Sequence, residues 1–163
     1  MKKVLALILV GVLCLSLCAC MPKRIKNEDT TQPPVSTPEK EPEENAAKLV
    51  EKEKALLDPT TIEEDETFLT EINKYAEAYK AVIELFVKYP DNQEIIKAKD
   101  TIAESLDTWV KEGERKLSDL KVEGEAGGDM EAYNKFKEKY VNALNTIHAA
   151  LKKEMDVLNQ KAA

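Results

Sequence analysis

Residues 60–90 read TTIEEDETFLTEINKYAEAYKAVIELFVKYP, and this stretch decides the fold. Its large apolar side chains recur at spacings of 4-3-4-3-4-3, the pattern of a helix face that packs on neighbouring helices. They are Phe68, Ile72, Tyr75, Tyr79, Val82, Phe86 and Tyr89. Thr60 and Thr61 each have a glutamate three residues later, which predicts a capping box at the start, and Pro90 predicts an end at Tyr89. The stretch therefore predicts a long amphipathic helix.

Two further long helices are predicted downstream. One opens at Asp91 in a second capping box and runs towards Leu120; the other follows a break at residues 123–128, takes Asp129 as its cap and runs to about Gln160. With these helices we expect an all-α fold. Because the connections are short, neighbouring helices should lie antiparallel and form an elongated three-helix bundle. The apolar faces are Ile95, Ala98, Ile102, Leu106, Trp109, Gly113, Leu117 and Leu120, then Tyr133, Phe136, Tyr140, Leu144, Ile147, Leu151, Met155 and Leu158.

A short helix is predicted before the bundle, over residues 46–57, with Asp58-Pro59 as its stop. Its apolar residues are Leu49, Val50, Leu56 and Leu57. The composition agrees with helices throughout, because glycines number only 5 and charged residues reach 34%. The bundle domain is predicted to span residues 46–163, and whether three or four helices pack in it is left open.

Residues 20–45 form a Pro-, Thr- and Glu-rich segment that we expect to be a disordered tether. Residues 21–45 hold five prolines and few apolar side chains, too few to compensate the entropy of ordering the chain. The tether is expected to separate the bundle from whatever holds the N-terminus.

The first 19 residues have the order of a secretory leader, with Lys2 and Lys3 followed by an apolar run to Ala19. An uncleaved membrane helix is the alternative, but the run is at or below the roughly 17 to 25 residues that span a bilayer. Lys23, Arg24 and Lys26 follow it directly, which for an N-in helix is the wrong side for positive charge.

The end of this leader, Leu17-Cys18-Ala19-Cys20, resembles the lipobox of bacterial prolipoproteins. The resemblance implies cleavage between Ala19 and Cys20 and a covalent diacylglyceryl group, with or without an N-acyl chain, on the Cys20 thiol. It implies a protein anchored by lipid to the extracytoplasmic face of the cell membrane. The lysine-rich mature chain favours a Gram-positive host, and Met21 after the cysteine leaves the outer membrane open if the host has two membranes.

Net charge limits the kinds of partner that the protein could bind, and the cysteine positions limit the disulfides that it could form. The whole chain has a net charge of -7, and the mature chain would keep 22 basic and 31 acidic residues. Such a protein repels phosphate backbones, so we expect no nucleic-acid partner. With Cys14 and Cys18 inside the leader and Cys20 acylated, no internal disulfide is expected.

Candidate sites for chemistry are sparse, and we expect no enzyme, no metal site and no cofactor beyond the lipid. His148 is the single histidine, which is too few for a histidine-rich metal centre or a paired catalytic site. The acidic run at residues 63–66 lacks the spacing of a calcium loop and is typical of a first helical turn.

The aromatic residues offer the one candidate surface. Core packing is the simpler interpretation, but in a three-helix bundle some could line an exposed groove for a partner helix, peptide or glycan. The candidate groove comprises Tyr75, Tyr79, Phe86, Tyr133 and Tyr140. We therefore expect a surface interaction or structural module with an envelope protein or peptide as partner. The alternative is a carrier that holds an apolar or aromatic ligand between its helices.

Overall fold

A computed structural model describes residues 41–162. These residues form α1 (Glu41–Lys54), a 3₁₀ turn (Pro59–Thr61), α2 (Asp65–Lys88), α3 (Gln93–Ala103), α4 (Leu106–Gly127) and α5 (Glu131–Ala162). No strand occurs among them, so the all-α helical bundle is confirmed. The leader, the lipobox and most of the predicted tether lie outside the described residues.

α1 is part of the bundle, because it packs on both α2 and α3. Ala46 is buried, and Leu49, Val50 and Leu56 pack partly buried against the core. The predicted bounds of 46–57 are wrong at both ends, since the helix starts five residues earlier and ends at Lys54. Pro42 lies in the first helical turn, where a missing backbone N–H costs nothing, so the proline does not exclude a helix.

α2 begins later than predicted. Asp58 caps the 3₁₀ turn instead, its carboxylate accepting from the backbone N–H and the hydroxyl of Thr60 at 2.9 and 2.7 Å. The predicted capping box at Thr60 or Thr61 is therefore wrong. The helix starts at Asp65 and ends at Lys88, one residue before the predicted end.

The predicted third helix is interrupted at Glu104 and Ser105, which separate α3 from α4. At the break, the Tyr75 hydroxyl donates to the carbonyl oxygen of Ile102 at 3.0 Å. Ser105 donates through its hydroxyl to the Glu53 carboxylate of α1 at 2.7 Å. Side chains of α1 and α2 thus form hydrogen bonds with polar groups at the break. The sequence of this segment alone does not show these partners, so the break was not predicted.

The ends of α3, α4 and α5 lie near the predicted positions but differ from them in detail. Asn92, not Asp91, caps α3, since its side chain accepts from the backbone N–H groups of Glu94 and Ile95. α4 continues through the predicted break and stops only at Gly128, whose φ of 73° is the left-handed conformation that glycine adopts most readily. Met130, not Asp129, directly precedes α5, so the predicted cap is displaced by one residue, although the Asp129 carboxylate accepts from the N–H of Glu131 at 2.9 Å.

α5 turns a different face to the core than predicted. Its buried residues, here called the inner seam, are Phe136, Tyr140, Ala143, Ile147, Ala150 and Glu154. Tyr133, Leu144 and Leu151 are only half-buried, while Met155 and Leu158 are 43% and 44% exposed. After Ile147, Ala150 and Glu154 therefore occupy the core side of α5, Leu144 and Leu151 pack at the edge of the core, and Met155 and Leu158 lie outside it.

α2 is the central helix of the bundle. It packs along α5 and also contacts α1, α3 and α4. The Trp109 ring of α4 lies 5.6 Å from Phe68 and 5.7 Å from Tyr75, between ring centroids. The predicted heptad seam of α2 is buried from Phe68 to Phe86, so this part of the sequence pattern is correct.

Candidate functional site

The aromatic residues of the candidate groove lie mostly inside the bundle. Tyr75, Tyr79, Tyr140 and Phe86 are each at most 2% exposed, and only Tyr133 is half-buried. The rings of Tyr75 and Tyr79 stack at 6.2 Å between centroids. An exposed groove lined by these four is therefore wrong: they form the core, because residues of α3, α4 and α5 contact them.

Each buried tyrosine hydroxyl has a defined partner. Tyr140 donates to the carbonyl oxygen of Val110 at 2.8 Å, and Tyr75 donates at the α3–α4 break. Burial raises the pKa of both phenols above the usual value. These groups stay neutral donors at physiological pH, so they stabilise the bundle without offering a free acid or base.

Tyr79 belongs to a buried ionic cluster, here called the Lys99 cluster. The Lys99 ammonium donates to Glu154 at 2.7 Å and to Asp100 at 2.5 Å, and the Tyr79 hydroxyl donates to the other Glu154 oxygen at 2.9 Å. Burial alone would lower the pKa of Lys99, but the hydrogen bonds to Asp100 and Glu154 outweigh it and raise the pKa. Burial, followed by the adjacent Glu154 charge, raises the pKa of Tyr79. The cluster joins α2, α3 and α5.

The acidic start of α2 is also engaged in ion pairs. Lys116 of α4 is 5% exposed and donates to the backbone carbonyl of Glu63 at 2.8 Å and to Asp65 at 3.1 Å. Glu66 lies 2.8 Å from both Lys135 and Lys139 of α5, and their hydrogen bonds lower the pKa of its carboxyl to about 2. Two of these acidic side chains therefore bind lysines of other helices.

The surface carries an open groove between α1 and α2 that the sequence did not predict. Leu49, Ala81 and Leu85 give it apolar walls, and charged residues of both signs form its rim: Lys48, Glu51, Lys52, Glu84 and Lys88. The sequence pattern gave the short helix an apolar side, Leu49, Val50, Leu56 and Leu57, but it did not show which helix that side meets, so the groove was missed.

A second surface runs along α5 and is here called the outer stripe. Its members are Val141, Leu144, His148, Leu151, Met155 and Leu158, at spacings of 3-4-3-4-3. Leu144 and Leu151 are half-buried at its base, and His148 is exposed. Part of this stripe was predicted, but as the core face. The sequence did contain a signal for this surface: α5 carries two heptad patterns, and the bundle buries only the inner seam as its core face.

Among residues 41–162 no helix is long and apolar enough to cross a bilayer, and no group of three or more potential ligand side chains is placed to hold a metal ion. Ala19 and Cys20, the predicted cleavage and lipidation residues, lie outside this part of the chain. Comparison of the chain with protein-family models, curated proteins and solved structures found no match.

Proposed function

We propose that this chain is an extracytoplasmic lipoprotein, anchored to the cell membrane through Cys20, whose helical bundle is an interaction or structural module of the envelope. The proposal of a lipid anchor is supported by Leu17-Cys18-Ala19-Cys20, which ends a leader that is first basic and then apolar. One acyl chain alone binds a membrane only marginally, whereas the two or three of a lipoprotein hold it firmly.

The chemistry of the bundle supports an interaction role over catalysis. Its buried tyrosine hydroxyls and the Lys99 cluster are hydrogen-bonded within the bundle, so they hold helices together. The apolar surface that remains outside, above all the outer stripe, is of the kind that marks protein contacts. A carrier of an apolar or aromatic ligand would need the core aromatics to separate, because they pack on one another at about 6 Å.

Metabolic labelling tests the anchor. Cells expressing the full chain are fed an alkyne-bearing fatty acid, and the protein is recovered, coupled to a fluorophore and compared with two variants. We expect Cys20→Ser to lose the label and Cys18→Ser to keep it, because residue 18 tolerates substitution in a lipobox. Label retained in Cys20→Ser, or lost in both variants, would contradict the assignment of Cys20.

A further inference from the structure

Among the helices of the bundle, α1 buries the fewest residues. Of residues 42–54, Ala46 alone is buried, whereas α2 buries eleven of its 24 residues. Leu49 and Val50 are only partly buried against the core. Because hydrophobic stabilisation grows with the apolar area that is removed from water, α1 gains much less from packing on the bundle than α2 does.

The polar contacts of α1 with the bundle lie near its two ends. Glu43, in the first turn, accepts from the Asn92 side chain at 3.1 Å in an exposed position. Glu53, in the last turn, accepts from the partly buried Ser105 hydroxyl at 2.7 Å. Hydrogen bonds that water can replace add little net stability, so docking of α1 rests on a small number of weak contacts.

A helix as short as α1 is not stable by itself in water. α1 has 14 residues, and isolated helices shorter than about 12 to 15 residues are marginal even when they are rich in alanine. Once its contacts with α2 and α3 break, α1 should therefore unfold and become extendable chain.

The residues that follow α1 determine where this unfolding ends. Pro59 is buried, Ile62 is 6% exposed, and the 3₁₀ turn between them contacts α4. Asp58 caps this turn through its bonds to Thr60. The four buried aromatic residues of the expected groove have partners in α3, α4 and α5. Unfolding of α1 should therefore stop at Asp58 and leave the remaining helices packed.

We propose that α1 is a releasable extension of the tether, which undocks from α2 and α3 while residues 59–162 keep their fold. Of the helices in residues 41–162, α1 lies nearest to Cys20 along the chain. A pull on the N-terminal side therefore acts first on the start of α1. It breaks the contacts of Glu43 and Ala46 before that of Glu53, so the contacts yield in succession and not together.

Release of α1 changes how far the bundle can lie from the membrane. Fully extended, residues 20–40 span about 70 Å, and residues 20–58 span about 130 Å. The interaction module can thus engage partners at two distances. This gain in reach rests on the proposed anchor at Cys20, whereas the undocking of α1 does not.

Hydrogen exchange, measured by mass spectrometry on the full chain purified from membranes, tests whether α1 opens alone. Protection factors in α1 should be about 100-fold lower than those of residues 68–86, because local opening is enough to expose α1. We expect Ala46→Glu to abolish protection in α1, since a charged side chain is disfavoured at that buried position. Protection of residues 68–86 should stay within about threefold of the unsubstituted protein.

Ala47→Glu is the matched control. Residue 47 is exposed, so the substitution adds the same charge to the same turn and should leave protection in α1 unchanged. A second variant, Glu53→Cys with Ser105→Cys, fixes α1 to the break between α3 and α4 when a short bismaleimide joins the two thiols. Exchange in α1 should be slower with the reagent than without it.

Energy transfer tests the gain in reach. A donor dye is attached to Val122→Cys, on α4 and 63% exposed, in protein reconstituted into phosphatidylcholine vesicles that contain acceptor-labelled lipid. Combined with this label, Ala46→Glu should give less transfer than Ala47→Glu, because released α1 lets the bundle lie further from the surface.

Each result supports the proposal or overturns it. Loss of α1 protection in Ala46→Glu alone, with the other helices still protected, supports independent undocking. Equal protection of α1 and α2 in the unsubstituted protein, loss of protection throughout Ala46→Glu, or loss in both glutamate variants would overturn it. Equal energy transfer in the two variants would overturn the gain in reach. A chain that does not stay on the vesicles would contradict the anchor and leave the exchange result standing.

Discussion

Gly113 is the residue where helix propensity and packing oppose each other. Gly113→Ala should gain about 1 kcal/mol from propensity alone. A Cβ there would lie 2.5 Å from Cζ of Tyr140 and 2.7 Å from its hydroxyl oxygen. Since Tyr140 is 1% exposed and bonded to Val110, its ring has little room to move. We expect Gly113→Ala to lower the free energy of unfolding by about 1 to 3 kcal/mol, measured by urea denaturation.

Gly127→Ala is the matched control for this prediction. Gly127 is the last residue of α4, and a Cβ there meets nothing within 4 Å. The control should therefore be neutral or slightly stabilising, because only the propensity of alanine changes. Equal stabilisation by both substitutions would contradict close packing of Gly113 on Tyr140.

Lys99 is the residue whose removal should cost most among the charged side chains. Lys99→Met would leave Glu154, itself 6% exposed, with only the Tyr79 hydroxyl as a partner. Breaking one side of a buried pair costs about 3 to 5 kcal/mol, and we expect a loss of that order in urea unfolding. Exposed Lys97→Met is the control and should change little. The double variant Lys99→Met with Glu154→Met should recover much of the loss, and no recovery would contradict the account.

At the scale of the element, Glu66 connects the start of α2 to the start of α5 and should make stability depend on acidity. Its carboxyl has a usual pKa of 4.5 in the unfolded chain and about 2 in the folded protein. The stabilisation it gives is therefore fully present above pH 4.5 and is lost as the pH falls from 4.5 towards 2. Glu66→Gln should therefore make the free energy of unfolding depend less on pH between 4.5 and 2.

The Glu66 effect is expected to be small and sensitive to salt, because both lysines are exposed. Urea unfolding at several pH values and two salt concentrations measures it. Glu138→Gln on α5 makes the same change of charge and is the control; its free energy of unfolding should vary with pH as that of the unsubstituted protein does. An unchanged curve for Glu66→Gln at low salt would contradict the role of this ion pair.

The break between α3 and α4 is the second feature at this scale. Its Ser105 forms a hydrogen bond with Glu53 and so connects α1 to the rest of the bundle. Ser105→Ala removes the donor to Glu53 and replaces serine with the best helix former. We expect amide hydrogen exchange in α1 to become about tenfold faster, which corresponds to the loss of one hydrogen bond to a charged group. Exposed Ser118→Ala on α4 should leave exchange in α1 unchanged. Faster exchange in both variants would contradict the tie.

At the scale of the whole molecule, the sequence was sufficient for the fold class and for the seam of α2, where large apolar residues alternate with charged ones. It failed on α5, because Ala143, Ala150 and Glu154 are too small or too polar to signal burial. Glu154 is buried only because Lys99 and Tyr79 pair with it from other helices, and such a partner is visible only in three dimensions.

The candidate site shows the same limit. The residues expected to line an aromatic groove became the core because α3, α4 and α5 supply partners for them that the sequence does not reveal. Part of the outer stripe, from Leu144 to Leu158, belonged to the predicted apolar face of α5, but the core buries the neighbouring heptad pattern, the inner seam, instead. A single sequence offers no basis for that choice when both patterns hold aliphatic residues.

The central claim is that the mature protein begins at an acylated Cys20, and intact mass tests it most directly. The protein is purified from membranes of its native host and measured beside a Cys20→Ser variant. The account predicts the mass of residues 20–163 plus a diacylglyceryl group, with or without an N-acyl chain, and the absence of that species in the variant. An unmodified chain, or one that keeps residues 1–19, would contradict it.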